Sequence, residues 1–176
     1  AMFKLSYGLF VCTAKRGDKL NGCIINTAIQ VASDPNTISI AVNKATYTHE
    51  MIKETGLANI SVISTEASFD LFKHFGFQSG RDTDKFARFN DCKRTANGCM
   101  AVTKGTNAFF SVSVIKEIDL GSNILFVGIP SDGEFFSDIP SATYEYYFAN
   151  IKPKPEAVGK TSDGQTIWRC VICGYE

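Results

Sequence analysis

Three residues at the end of an apolar strand pattern have the chemistry of an anion site. Lys44 is followed by Thr46 and Thr48, where the helical pattern THEMIKET begins. An ammonium group, hydroxyl groups, backbone N–H groups and the positive end of a helix dipole all favour the same anion. The spacing therefore predicts a phosphate site at this helix N-terminus, with Thr48 as the N-cap.

A second polar segment, NTAIQ, occupies residues 26–30 and follows the strand pattern KLNGCII. Its amide and hydroxyl groups therefore stand at a strand end, beside exposed backbone. Such an edge offers both donors and acceptors to a flat heteroaromatic ring. The residues alone also fit a simpler interpretation, in which both segments are polar loops beside a capped helix.

Two pairs of cysteines differ in what they predict. Cys170 and Cys173 form a Cys-x-x-Cys-Gly knuckle, which can hold one edge of a tetrahedral thiolate metal site. Because such a site needs four ligands, we expect half a site here, as free thiols, a local disulfide or a metal shared between two tails. Cys12 and Cys23 lie inside apolar strand patterns and are predicted to be small buried residues.

The composition excludes several classes of function. The chain has 176 residues, of which 44% are hydrophobic, enough for one domain with a sizeable core. Eighteen basic residues balance eighteen acidic ones, so no nucleic acid and no anionic membrane is expected as partner. No apolar run could span a bilayer and no signal-peptide pattern is visible, so we expect a cytoplasmic protein with reduced thiols. Cys92 and Cys99 fit no common metal knuckle.

Strand patterns dominate the elements that must position these residues. One hairpin is predicted around RGD at residues 16–18 and another around GSN at residues 121–123. Two short helices are predicted, one ending at Gly56 and one beginning at Ser68. This pattern favours a mainly β fold, a barrel with short helical inserts.

The chain resembles the flavin reductase-like family of FMN-binding split barrels over residues 2–152. The resemblance is carried in family order by Gly22, the NTAIQ segment, Ser33-Asp34-Pro35, Asn43 and Thr46-x-Thr48-His49, and further by GFQSGRDTDKF, NILFVGIP and ATYEYYFANIK. It implies a six-stranded antiparallel split barrel that forms a homodimer, with FMN at the subunit interface.

The resemblance also implies roles for individual residues. The isoalloxazine ring would be lined by Asn26, Thr27, Ala28, Ile29 and Gln30. The ribityl phosphate would be held by Asn43, Lys44, Thr46, Thr48 and His49. The segment SGRDTDK would bring Arg81, Asp82 and Lys85 to the flavin or to the dimer seam, although Arg81 and Lys85 also fit solvated charges.

One departure from the family pattern concerns the electron donor. Asn123 stands in the turn where family members often carry a His on the nicotinamide side, and no Glu follows Gly128. Asn123 is therefore a weak candidate for the nicotinamide side. We therefore expect the electron donor to be either NAD(P)H or another reduced donor.

The tail WRCVICGYE resembles the opening of rubredoxin. With the Pro- and Lys-rich stretch before it, the order is that of high-molecular-weight rubredoxins, which implies a flavin domain at 1–152, a linker at 153–166 and the start of a rubredoxin domain at 167–176, with iron in a longer protein.

The two resemblances together imply an oxidoreductase that passes electrons from NAD(P)H through FMN to rubredoxin-type iron. Its redox partner would be a rubredoxin acceptor or a flavodi-iron protein. Two alternatives remain: a flavin reductase that supplies free reduced flavin to a partner oxygenase, and a non-catalytic FMN-binding dimer.

Overall fold

A seven-stranded antiparallel sheet forms the body of the molecule. The computed structural model describes residues 4–172. The strands of this sheet are β1 (Phe10–Arg16), β2 (Lys19–Ile25), β3 (Ala28–Ser33), β4 (Asn36–Asn43), β5 (Leu57–Ile63), β8 (Thr106–Asp119) and β9 (Asn123–Phe135). Their order is β2-β1-β5-β8-β9-β4-β3. The mainly β fold is confirmed, although the sheet has seven strands where the resemblance implied six.

The two edge strands are neighbours in the chain, although they lie at opposite ends of the sheet order. Only Asn26 and Thr27 separate the end of β2 from the start of β3. Such a short connection requires the sheet to curl until its two edges come close together. The curled sheet with an unpaired seam is a split barrel, and the NTAIQ segment begins in this seam.

The two predicted hairpins are confirmed. Strands β1 and β2 pair in register from Phe10 opposite Ile25 to Arg16 opposite Lys19, and the turn between them uses a left-handed Gly17 with φ of 57°. Strands β8 and β9 are the longest and make the largest strand pair, with two bulges that bend it. The C-terminal parts of both strands, from Ile115 in β8 and from Ser131 in β9, are exposed.

Two helices cover the sheet, and one of their predicted caps is wrong. Helix α1 (Tyr47–Thr55) is capped by Thr46, whose Oγ1 accepts a hydrogen bond from the His49 N–H at 3.2 Å. Thr48, the predicted N-cap, lies inside the helix and is buried. The capping residue must precede the first helical turn in extended conformation, and Thr46 does so with φ of −81° and ψ of 143°.

The other helix signals behave as predicted. Gly56 ends α1 in the left-handed conformation, with φ of 69°, and its N–H bonds the carbonyl of Ile52. Helix α2 (Phe69–Gly76) begins after Ser68, whose side chain makes no capping hydrogen bond. The inner faces of both helices pack on the sheet through buried side chains, which are Met51 and Ile52 of α1 and Leu71, Phe72 and Phe75 of α2.

Two small sheets and a helical segment complete the described chain. Strands β6 (Cys92–Arg94) and β7 (Met100–Val102) form one of these sheets, and a short helix α3 (Tyr144–Tyr146) runs into a π-helical turn at Tyr147–Ile151. Within residues 4–172, no helix has the length and apolar character needed to cross a membrane.

The predicted linker contains regular structure. Strand β10 (Glu156–Lys160) pairs with β11 (Thr166–Arg169) in a hairpin that begins inside the stretch predicted as a linker. All five residues of β10 are exposed. The strand therefore has no alternation of buried and exposed side chains that an apolar pattern in the sequence could indicate. The domain boundaries at 152 and 166 stay predictions. Cys173 lies outside the described residues.

Candidate functional site

The start of α1 opens onto a cavity of about 340 Å³. The cavity is lined by residues 21–24 of β2, 45–48 at the start of α1, 75–80 at the end of α2 and just after it, and Lys85. We call it the α1 cavity. Thr46 and Thr48, two of the predicted phosphate ligands, are in this lining. The positive end of the α1 dipole lies at the same place and favours an anion there.

Lys85 is the charged group buried in this cavity. Its side chain is only 3% exposed, and its Nζ donates to the carbonyl oxygens of Gly22 at 2.8 Å and Phe75 at 2.9 Å. No carboxylate among the described residues lies within ion-pair distance of it. Burial lowers the pKa of Lys85, and the Cys23 thiol beside it acts in the opposite direction. A buried cation without a counter-charge is costly, so an anion in the cavity would stabilise it.

Asn21 is a lining residue that the sequence analysis missed. Its Nδ2 donates to Thr48 Oγ1 at 3.0 Å, while its buried Oδ1 has no hydrogen-bond partner among the described residues. Strand alternation could have found it, because Asn21 and Cys23 share the inner face of β2 and a polar residue at an inward position is unusual. The intervening Gly22 faces the other way, where a Cβ would come within 3.0 Å of the Phe75 ring.

Three cations surround the ring of Tyr47 at the rim of the cavity. The charged groups of Arg16, Lys19 and Arg81 lie 5.0, 4.6 and 5.5 Å from the ring centroid. Arg81 also donates to the carbonyl of Ala45 at 3.2 Å. These contacts place Arg81 at the cavity rim with positive charge around it.

The three candidate residues of the SGRDTDK segment lie in different places relative to the cavity. Arg81 forms an ion pair with Glu50 of α1. Asp82 is exposed in the loop, and its N–H donates to the carbonyl of Ser79 at 3.2 Å. The structure thus brings Lys85 into the cavity, leaves Arg81 at its edge and does not bring Asp82 into its lining.

Lys44, Asn43 and Asn123 meet at the end of the sheet instead. Asn43 is the register partner of Asn123, and the N–H of Lys44 donates to the carbonyl of Ser122 at 3.0 Å. The Lys44 ammonium contacts both carboxylate oxygens of Asp119, at 2.6 and 2.7 Å. Lys44 lowers the pKa of the Asp119 carboxyl. None of these residues lines the α1 cavity.

His49 packs into the core side of α1. Its ring centroid lies 5.9 Å from that of Phe126, and neither ring nitrogen has a hydrogen-bond partner among the described residues. Burial lowers the pKa of His49, and the nearby charge of Lys53 lowers it further. His49 is not among the residues that line the α1 cavity.

The predicted ring-binding segment runs along the seam of the split barrel. Asn26 and Thr27 are half-buried in the connection, Ala28 is buried, and Ile29 and Gln30 are exposed on edge strand β3. Asn26 lines a second cavity of about 670 Å³, bounded by residues 4–7, 143–145 and 148, which we call the N-terminal cavity. Both cavities border the end of β2, since the lining of one includes Ile24 and that of the other Asn26.

Cys170 is half-buried and lies beside a third cavity of about 190 Å³, with Phe148 and Lys152 in its lining. Among residues 4–172 there is no group of three or more His, Cys, Asp and Glu side chains that could hold a metal ion. The described residues therefore do not make a complete tetrahedral thiolate site.

Sequence relatives agree with this architecture. The model of the family described as "Flavin reductase like domain" matches residues 2–154. The high molecular weight rubredoxin of Moorella thermoacetica is 35% identical over 185 residues, covering 99% of this chain and 80% of that protein. The ferric-chelate reductase (NAD(P)H) of Archaeoglobus fulgidus is 34% identical over 168 residues, covering 96% of this chain and 95% of that protein.

Solved structures share the fold at lower identity. The NADH:FAD oxidoreductase SgcE6 of Streptomyces globisporus superposes with a TM-score of 0.71 at 18% identity, covering 79% of this chain and 81% of that one. An FMN-binding protein from Thermus thermophilus gives a TM-score of 0.68 at 17% identity, covering 85% and 79%. Since the family match spans most of the chain and both sequence relatives exceed 30% identity, this protein belongs to the flavin reductase-like family and is a flavin reductase-like oxidoreductase.

Proposed function

We propose that the protein binds FMN and passes electrons from NAD(P)H, or another reduced donor, to a rubredoxin-type iron centre. The observation that carries the flavin part is the buried ammonium of Lys85, which faces the α1 cavity without a carboxylate partner in the described chain. Bound FMN would accept electrons as a pair and release them singly, which suits a one-electron iron acceptor.

The α1 cavity has groups that fit the phosphate end of FMN. Lys85 supplies a positive charge, Thr46 and Thr48 supply hydroxyl groups, and the α1 N-terminus supplies its dipole. The orphaned Oδ1 of Asn21 accepts a hydrogen bond from a ribityl hydroxyl in this proposal. Together these groups hold the anion and orient the chain that leads to the ring.

The seam between β2 and β3 would hold the isoalloxazine ring. Asn26, Thr27 and Ala28 lie at its start, while Ile29 and Gln30 continue along the edge strand. Gln30 Nε2 already donates to Asn36 Oδ1 at 2.9 Å, so its role is to support the edge. Arg81 stays a candidate at the cavity rim, and Asp82 stays a candidate in the exposed loop that follows it.

The sheet end formed by Asn43, Lys44 and Asn123 is the proposed donor side. Asn123 is half-buried and its Oδ1 accepts from Ser122 Oγ at 3.0 Å, which leaves its amide N–H groups for a carboxamide. His49 lies behind this end of the sheet, packed against Phe126. The relative named as an NAD(P)H enzyme supports a nicotinamide donor.

The acceptor side is proposed near Cys170. Phe148 lines both the N-terminal cavity, which includes Asn26, and the small cavity that includes Cys170. The ring centroid of Tyr144 lies 4.9 Å from that of Phe148. Phe148 would therefore lie between the proposed ring site and the cysteine. Cys170 and Cys173 would supply two of the four thiolate ligands that such an iron needs.

A homodimer is proposed because one face of the barrel is apolar and exposed. The exposed apolar side chains of β3, β8, β9 and the β8–β9 turn are Ile29, Val31, Ile115, Ile118, Leu120, Ile129 and Phe135. A patch of this kind usually marks an interface. It begins on the strand that would carry the flavin ring, so the second copy would cover the ring.

Ferric-chelate reduction is the second candidate function. The relative of that name matches nearly end to end, at 96% of this chain and 95% of that protein. It requires the same flavin site but an acceptor from solution instead of a tethered iron. A flavin reductase that releases reduced flavin and a non-catalytic FMN-binding dimer are the remaining alternatives.

Anaerobic spectroscopy of the FMN-loaded protein separates these functions. The proposal predicts that NADH or NADPH bleaches the flavin band, and that added oxidised rubredoxin restores it faster than an added ferric chelate. Faster restoration by the chelate would favour ferric-chelate reduction, and rapid turnover of excess free FMN would favour flavin release. A flavin band that no nicotinamide bleaches would contradict the proposed donor.

A further inference from the structure

We propose that Cys12 and Cys23 form a dithiol site beneath the α1 cavity, which hydrogen peroxide converts to a disulfide. The two residues lie directly opposite each other on β1 and β2. Both are buried, with relative exposures of 0% and 7%. The sequence pattern predicts only small core residues at these two positions. The proposed flavin chemistry does not use them either.

The strand register supplies the geometry for a disulfide. Residues directly opposite on antiparallel strands have Cα atoms about 4.5–5.5 Å apart and side chains on the same face. Disulfides join Cα atoms about 4.4–6.8 Å apart. The two residues are register partners on neighbouring strands, so the bond can form with little movement of the backbone.

The surroundings of the pair decide which sulfur reacts first. Cys23 lines the α1 cavity, whereas Cys12 does not. The Cys12 thiol, the Thr48 hydroxyl and the charge of Lys85 lower the pKa of Cys23, although burial opposes them. The contact with Cys23 and burial both raise the pKa of Cys12. Cys23 is therefore the attacking thiolate and Cys12 the resolving thiol.

The reaction is balanced with hydrogen peroxide as oxidant. The Cys23 thiolate attacks one peroxide oxygen, the O–O bond breaks, and the sulfenic acid of Cys23 forms as hydroxide leaves and takes up a proton. The Cys12 sulfur, on losing its proton, attacks the Cys23 sulfur and expels a second water. Two thiols thus lose two electrons and two protons, and the peroxide becomes two waters.

The disulfide would also affect the cavity. Once bonded to Cys12, the Cys23 sulfur can no longer become a thiolate near the charge of Lys85. An anion in the cavity would in turn cover Cys23. This coupling rests on the proposed function, and it predicts that a bound anion slows the attack of the covered Cys23 on peroxide.

The test treats the full chain, free of flavin, with hydrogen peroxide and maps disulfides by peptide mass. We expect a Cys12–Cys23 crosslink, with a loss of about 2 Da for the two hydrogens removed. In Cys12→Ser, Cys23 should stop at a sulfenic acid that dimedone traps. Cys92→Ser is the matched control and should form the crosslink at the wild-type rate. A crosslink confined to Cys99, Cys170 or Cys173, or no crosslink in folded protein, would overturn the proposal.

A second arm repeats the oxidation with saturating FMN, whose binding is followed separately by fluorescence. We expect FMN to slow the crosslink at least several-fold. If FMN binds and the crosslink forms at an unchanged rate, the dithiol stands and the α1 cavity is wrong as the flavin site. If FMN binds and no crosslink forms in either arm, the dithiol is wrong, and the proposed flavin binding is unaffected.

Discussion

Lys44 and Lys85 carry the same charge, but their surroundings give them different capacities to bind an anion. Lys44 lies at the surface and already contacts both oxygens of Asp119. Lys85 is buried and donates only to two backbone carbonyls, of Gly22 and Phe75. A new anion must compete with Asp119 for Lys44, whereas at Lys85 it would supply a missing counter-charge. We therefore expect Lys85 to be the stronger of the two proposed phosphate ligands.

The buried ring of His49 predicts a dependence of stability on pH. Its pKa in the folded state is lowered, mainly by burial, from a value of about 6.5 in the unfolded chain. The stabilising contribution of the neutral ring is complete above that unfolded value. It is lost as pH falls through the lower folded value, because the unfolded chain then binds the proton more readily.

Urea denaturation of the wild type and His49→Leu at several pH values measures this effect. We expect the free energy of unfolding of the wild type to fall more steeply below about pH 6.5 than that of the variant. Parallel pH profiles for the two proteins would show that His49 is not the titrating group.

The sequence could predict the residue types of the site better than their positions. Thr46, Thr48 and Lys85 are candidates from the sequence and lie in one cavity, whereas Lys44 lies outside it. The reason is that chain spacing fixes which residues begin a helix but not which long side chains find a carboxylate elsewhere. The Lys44 partner, Asp119, is far away in sequence.

At the scale of elements, the start of α1 has a structural role and is also the proposed anion site. Thr46 Oγ1 accepts from the His49 N–H and donates to the Asn43 carbonyl at 2.8 Å, which ties the helix to the end of β4. The same residue lines the α1 cavity. Loss of this hydroxyl should therefore affect both stability and anion binding.

Replacing the cap tests the structural role. Thr46→Ala should cost about 1 kcal/mol of unfolding free energy, the usual value of a working N-cap. Ser68→Ala is the matched control, because Ser68 precedes α2 but makes no side-chain capping bond. We expect it to cost clearly less when both are measured by urea denaturation. Equal losses would show that Thr46 does not act as a cap.

Elements with strong local signals could be predicted, and those stabilised only by pairing could not. Both hairpins and both helices were expected from apolar periodicity and from turn residues such as Gly17 and Gly56. Strand β10 has no buried side chain, so nothing in its pattern marked it as a strand. Its regular backbone follows from pairing with β11 in the hairpin.

At the scale of the whole molecule, the exposed apolar face is the feature that a single chain leaves unexplained. Phe135 is 67% exposed and Ile29 is 58% exposed, on strands of the same sheet. Edge strand β3 also has one side without a strand partner among the described residues. Covering this face with a second copy would remove apolar surface from water and close the seam that carries the predicted ring site.

A charge placed on this face tests the homodimer. Ile29→Asp should shift the protein from dimer to monomer in sedimentation, because a carboxylate would be buried at the interface without a partner. FMN affinity should fall with it if the second copy covers the ring. Val158→Asp, on the exposed strand β10, is the control and should leave the dimer intact. A wild-type protein that sediments as a monomer with full flavin occupancy would contradict the proposal.

The most direct test of the flavin site compares the affinities of FMN and riboflavin, which differ only by the phosphate. Fluorescence titration of the wild type should show FMN bound about tenfold to a hundredfold more tightly, as expected for a charge-assisted contact. In Lys85→Met this preference should largely disappear, while Lys44→Ala, which removes the lysine paired with Asp119, should lose less. An undiminished preference for FMN in Lys85→Met would contradict the assignment of the α1 cavity as the phosphate site.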